Sequence, residues 1–113
     1  MKQIDIVMQK FATWLRNEWG TPEDMIQPII DAAKEEMPNI EDLPPLVMDT
    51  VFYPHLAAKC LAQVIAKEIG IPTVSKKRLW GKIGMMLQDE DWNEKKEFLK
   101  VCLRRDYRRY KNS

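Results

Sequence analysis

Apolar residues recur along this chain at intervals of three and four, and no window alternates convincingly with a period of two. That pattern leaves α-helices as the regular structure the chain can build. In residues 2–19, Ile4, Val7, Met8, Phe11, Trp14, Leu15 and Trp19 fall on one side, and Gly20 can take the left-handed conformation that ends a helix. Thr21 and Pro22 then offer a cap and a first helical residue, with Asp24 at the positive end. Met25, Ile26, Ile29, Ile30, Ala33 and Met37 make the second apolar stripe. Pro28 interrupts it. A proline has no N–H and crowds the carbonyl four residues back, so either this helix kinks or Asp24 itself is the cap.

Pro38, Pro44 and Pro45 bracket a loop. A short helix, about 45–53, follows, and Pro54 marks a kink or a fresh start. Residues 54–69 are apolar on most sides, as befits a central helix packed by its neighbours, and Gly70 ends it. Ser75 can cap a fifth helix over 76–87 with Leu79, Trp80, Ile83, Met86 and Leu87 facing inward. After an acidic turn, Asp91 can cap a sixth helix over 92–110, with Glu94 three residues on as in a capping box. Its apolar side is Trp92, Phe98, Leu99, Cys102, Leu103, Tyr107 and Tyr110. The connections are short, as in helical bundles. The expected fold is all-α: a compact single-domain bundle of five to six helices over residues 1–110, with 111–113 fraying.

A chain of 113 residues can bury a core without staples. The window 56–69 is interrupted by Lys59, Gln63, Lys67 and Glu68, so no apolar run approaches a membrane span, and the N-terminus lacks the pattern of a signal peptide. A cytoplasmic protein with no membrane contact is expected. Cys60 and Cys102 then read as buried free thiols. They offer too few companions for zinc, His55 is the sole histidine, and no phosphate loop, metalloprotease helix or nucleophile elbow occurs. His55, beside Pro54, suits a structural polar contact better than a general-base role. Asp89, Glu90, Asp91 and Glu94 lack the spacing of a calcium loop and read as turn and cap. The four tryptophans suit the core or its edge, although Trp80 or Tyr107 could stack on a base. Neither an enzyme nor a cofactor is expected.

What remains is charge. Residues 1–70 hold six Lys/Arg against eleven Asp/Glu, a net −5, whereas residues 71–113 hold twelve against six, a net +6. Such a split between halves hints at an anionic partner. In the sixth helix Lys96, Lys100, Arg104 and Arg108 recur every four residues along one ridge, with Arg105 and Arg109 beside it. Like charges at that spacing repel by a few tenths of a kcal/mol per pair. Cations in the last turns do favour the negative end of the helix, and the acidic half could neutralise them internally, or the face could simply be solvated. Lys76, Lys77, Arg78 and, one turn on, Lys82 are harder to explain that way, because they gather at the positive end of the fifth helix.

Gly81-Lys82-Ile83-Gly84 has the spacing of the loop that clamps single strands in KH domains, but without strands around it, close helix packing accounts better for the two glycines. The stretch from the fourth to the fifth helix resembles a helix-turn-helix in outline, with Ala66, Gly70 and Ile71 at the turn and Thr73, Val74 and Ser75 opening the second helix; its turn is about two residues short of the common pattern. The expected function is a nucleic-acid-binding module of the kind a small DNA-binding regulator uses, with DNA ahead of RNA as target, acting through the ten cations named on the fifth and sixth helices. The alternative is a non-catalytic adaptor or inhibitor that docks an acidic protein surface. Pairing into a homodimer is compatible with either.

Overall fold

Residues 53–69 have little polar surface to show to water, and the chain is built around them. In the computed structural model, which describes residues 3–37, 43–72 and 79–112, this central helix is α4 (Tyr53–Ile69). Packed against it are α2 (Glu23–Glu36), α5 (Trp80–Met86) and α6 (Trp92–Lys111), while α1 (Gln3–Asn17) lies on α2 and touches α4. No strand occurs among the described residues. The Cα radius of gyration is 13.8 Å, near the roughly 13 Å of a compact chain this long.

Leu56, Ala57, Ala58, Cys60, Leu61, Ile65 and Ala66 of α4 are all buried. Small residues at 57, 58, 62 and 66 let neighbouring helices approach. The α1 stripe is buried as its spacing predicts, and Gly20 (φ +66°) and Gly70 (φ +72°) end α1 and α4 in the left-handed conformation. An aromatic chain ties the layers together. Phe11 lies 5.4 Å from Tyr53 and Trp14 5.8 Å from it, ring centre to ring centre; Trp14 in turn is 6.3 Å from Trp19, which meets the Trp92 edge at 6.2 Å.

Neither Pro28 nor Pro54 breaks its helix. No break separates the short helix from α4: α3 (Pro45–Val47), a π-helical turn (Met48–Phe52) and α4 follow one another without interruption. Pro54 cannot donate to the Thr50 carbonyl and its ring needs room there. The preceding turn widens instead, and the Tyr53 N–H reaches back five residues to the Met48 carbonyl. Thr50 Oγ1 donates to the Leu46 carbonyl at 2.6 Å within the same turn. Pro28 is likewise accommodated inside α2, which starts at Glu23 with Pro22 as its N-cap; neither Thr21 nor Asp24 caps it. An Arg16–Glu23 ion pair, with Nη2 to Oε1 at 2.7 Å and Nε to Oε2 at 2.9 Å, joins the end of α1 to the start of α2.

The α5 helix is rotated from its expected setting. Trp80, Ile83, Gly84 and Leu87 face α4, while Leu79 and Met86, expected inside, are each more than half exposed. Gly84 decides the rotation, since a Cβ there would stand 2.0 Å from the Pro54 carbonyl oxygen. Only a glycine allows the α5 backbone to lie directly on that of α4.

Candidate nucleic-acid interface

The sixth helix is anchored at its start, and its last turns are largely exposed. Asp91 Oδ1 accepts the Glu94 N–H at 2.9 Å, the cap its sequence predicts. Glu94 lies among acids, and its carboxyl is raised above the ordinary value, first by hydrogen bonding with Glu90 and then by the Asp91 charge. The inward face is Lys95, Leu99, Cys102 and Leu103. Tyr110, expected on that face, is 71% exposed. Among the described residues none beyond Leu103 is buried, so the last turns leave the core.

Lys95 is the surprise of this helix. It is 1% exposed, with its ammonium over the Trp19 ring at 5.2 Å and donating to the Gln88 carbonyl at 3.2 Å and to the Glu90 carbonyl. Burial lowers its pKa, and Glu90, Asp89 and Asp91 act the other way. One cation of the apparent basic run is therefore a structural strut that closes the α5–α6 turn. The spacing Trp92, Lys95, Leu99, Cys102 places it on the apolar stripe, a signal present in the sequence.

The ridge is accordingly shorter than its spacing implies. Lys96 and Lys100 are partly buried, and Lys100 Nζ pairs with Glu97 Oε1 at 3.2 Å on the same helix. Arg104, Arg105, Arg108 and Arg109 are exposed, and no carboxylate among the described residues pairs with them. Lys111 joins them, its ammonium 5.6 Å from the Tyr107 ring centre. Residues 104–111 thus carry five cations and one acid, Asp106. Val101, Arg105, Arg108, Arg109 and Asn112 line one shallow, open concavity of about 560 Å³.

Three acids of the first two helices form ion pairs elsewhere: Asp5 with Lys34 at 3.9 Å, Glu23 with Arg16, and Glu36 with Lys59. Hydrogen bonds from Lys59 and Gln63 hold the Glu36 carboxyl below its ordinary pKa. Lys82 is exposed on α5, which packs on α4 rather than along α6. Lys76, Lys77 and Arg78, with Thr73, Val74 and Ser75 of the expected turn, lie outside the described residues. The helix-turn-helix expectation gains no support from α5, whose exposed side carries Leu79, Met85 and Met86 around one lysine. Gly81 and Gly84 sit within this helix and not in a loop.

A second concavity, about 650 Å³, lies between α1, the π turn and α5, over Trp14, Met48, Tyr53 and Met85. The groups whose pKa values are displaced, among them Cys60, Lys95 and His55, do not line it. Among the described residues no cluster of three or more His, Cys, Asp or Glu is disposed to hold a metal ion, and no helix is long and apolar enough to cross a membrane. Compared with known protein families, curated proteins and solved structures, the chain matches none.

Proposed function

We propose that this protein binds nucleic acid through the C-terminal turns of α6, gripping phosphates with Arg104, Arg105, Arg108, Arg109 and Lys111. The observation that carries the reading is the set of four exposed arginines beyond the last buried residue, with no carboxylate partner among the described residues. None of them belongs to the buried core, so the arrangement suits an anionic partner. The guanidinium fork holds a phosphate with two hydrogen bonds. Contacts of this kind set affinity and position and carry no base sequence, and double-stranded DNA is the first target to test. Lys82 and the lysines and arginine at 76–78 are proposed to extend the footprint.

Fluorescence anisotropy with a labelled duplex tests this reading. With about five phosphates neutralised, one for each cation, the logarithm of affinity should fall against the logarithm of salt with a slope near −4.5, so binding weakens roughly 500-fold from 50 to 200 mM salt. Arg105→Gln and Arg109→Gln should each flatten that slope by about one unit. No binding at about 50 mM salt would refute the proposal.

A protein-docking role is the second reading. Leu46, Val47 and Val51 beside the π turn, with Met85 and Met86 on α5, are exposed apolar side chains of a kind that protein partners cover. A stoichiometric protein retained from nuclease-treated lysate, with no duplex binding by the pure chain, would favour it.

A further inference from the structure

The −5 half of the chain has its own concave feature. A groove of about 950 Å³ runs between α2 and α4, floored by Met25, Pro28, Ala32 and Val64. Carboxylates stand on both banks, Asp31, Glu35 and Glu36 from α2 and Glu68 from α4, against a single cation, Lys67. Glu36 is occupied by Lys59 and Gln63, and Asp31 accepts from Gln27 at 2.8 Å. Glu35 and Glu68 are exposed, on facing helices, and have no partner among the described residues. An apolar floor between acidic banks is complementary to a helix with aliphatic stems and cationic tips.

The same chain presents such a helix. Val101, Arg105, Arg108 and Arg109 share one side of α6, where Val101 is 58% exposed. Arginine stems can lie over an apolar floor while their heads reach out to carboxylates. A chain cannot satisfy itself this way, because α6 is one continuous helix to Lys111 and cannot fold back. We propose that the α2/α4 groove receives the basic C-terminal turns of α6 from a second copy of this chain. The contact joins two different surfaces, so it propagates head to tail and does not close as a symmetric dimer. Exposed ion pairs are individually weak, which places the dissociation constant at about 0.1–1 mM.

The inference does not depend on nucleic-acid binding, although it uses the same arginines. Sedimentation velocity of the full chain at low salt, at concentrations reaching about 1 mM, reads it directly. The weight-average mass should climb with concentration and return to that of one chain at about 1 M salt, where charges are screened within about 3 Å. The groove variant Glu35→Gln/Glu68→Gln and the arm variant Arg105→Gln/Arg109→Gln should each stay monomeric, with circular dichroism unchanged. Mixed together, they should form a heterodimer that grows no further, since one intact groove and one intact arm remain. A wild-type chain that stays monomeric throughout, a groove variant that still assembles, or a mixture that does not pair would overturn the proposal. The groove variant should keep duplex affinity, so the two proposals fail separately.

Discussion

Adding one methyl group at Gly84 should damage this fold, while the same change three residues earlier should not. A Cβ at 84 would lie 2.0 Å from the Pro54 carbonyl oxygen and 2.5 Å from its carbon, against 3.4 Å for ordinary contact, so the two backbones must part by about 1.4 Å. Neither partner is a side chain that can rotate away. Parting them also loosens Trp80 and Ile83 in the core and stretches the 3.4 Å bond from Trp19 Nε1 to the Gly84 carbonyl. Overpacking typically costs about 1–3 kcal/mol, and a clash with rigid backbone belongs at the upper end or beyond. The gain in helix propensity from Gly to Ala returns up to about 1 kcal/mol. Gly84→Ala should therefore lose about 2 kcal/mol or more, a fall of roughly 8 °C in Tm for a chain this size.

Gly81 provides the contrast within the same helix. A Cβ there meets only His55, at 3.6 Å from Nδ1, which is ordinary contact. Gly81→Ala should leave stability unchanged or raise it by up to about 1 kcal/mol. Urea titration of both variants, with the slopes compared, measures the pair. If the two substitutions shift stability in the same direction, α5 does not rest on the α4 backbone and the account of its rotation is wrong.

Lys95→Ala should cost about 3 kcal/mol, and Lys95→Met, which keeps the stem against Trp19, about 1 kcal/mol; equal losses in urea titration would show that packing plays no part. Burial, with a smaller contribution from Glu36, pushes the Cys60 thiol up to about 12. At pH 8 its thiolate fraction is then about a thousandfold below that of a free cysteine. Native protein should leave Cys60 unlabelled by a thiol reagent over a period in which unfolded protein reacts fully, as peptide mass mapping can check. Burial, and secondarily Lys59, lowers the His55 pKa from 6.5. The folded state then resists protonation that the unfolded chain accepts. Stability is fully present above pH 6.5 and declines as pH falls from there through the folded value, and His55→Gln should flatten that decline below pH 6.5. An unchanged profile in the variant would assign the decline elsewhere.

The helices that bury one clean stripe were legible from spacing alone. Val7, Phe11, Trp14 and Leu15 of α1 are all buried, and Asp91 caps α6, because in each case local pattern and tertiary contact agree. Legibility fails where two solutions satisfy the same local rule. Pro54 forbids one hydrogen bond, and a broken helix or a widened π turn both meet that demand; the Tyr53 N–H bonded to the Met48 carbonyl shows that the second is taken. The α5 stripe can face inward from either side of its apolar set, and Gly84, by touching Pro54, selects one. The charge split was visible at once, but composition counts Lys95 and Arg105 alike, whereas one holds a turn closed and the other stands in solvent.

The shared use of the α6 arginines leads to a last consequence. Eight helical residues from 104 to 111 extend about 12 Å, and duplex DNA presents about seven phosphates over that length. The α2/α4 groove offers two carboxylates without a partner among the described residues, Glu35 and Glu68, and carries Lys67 beside them. If both proposed contacts form, phosphate density should win the competition for the arginines, with released counterions adding to its advantage. Duplex added to head-to-tail assemblies should dissolve them, each chain leaving its neighbour's groove for DNA. Sedimentation at fixed protein concentration should show assembled species fall as duplex-bound single chains rise. If assemblies instead stay intact while carrying duplex, the arginines are not the common element, and at least one of the two surfaces has been assigned to the wrong residues.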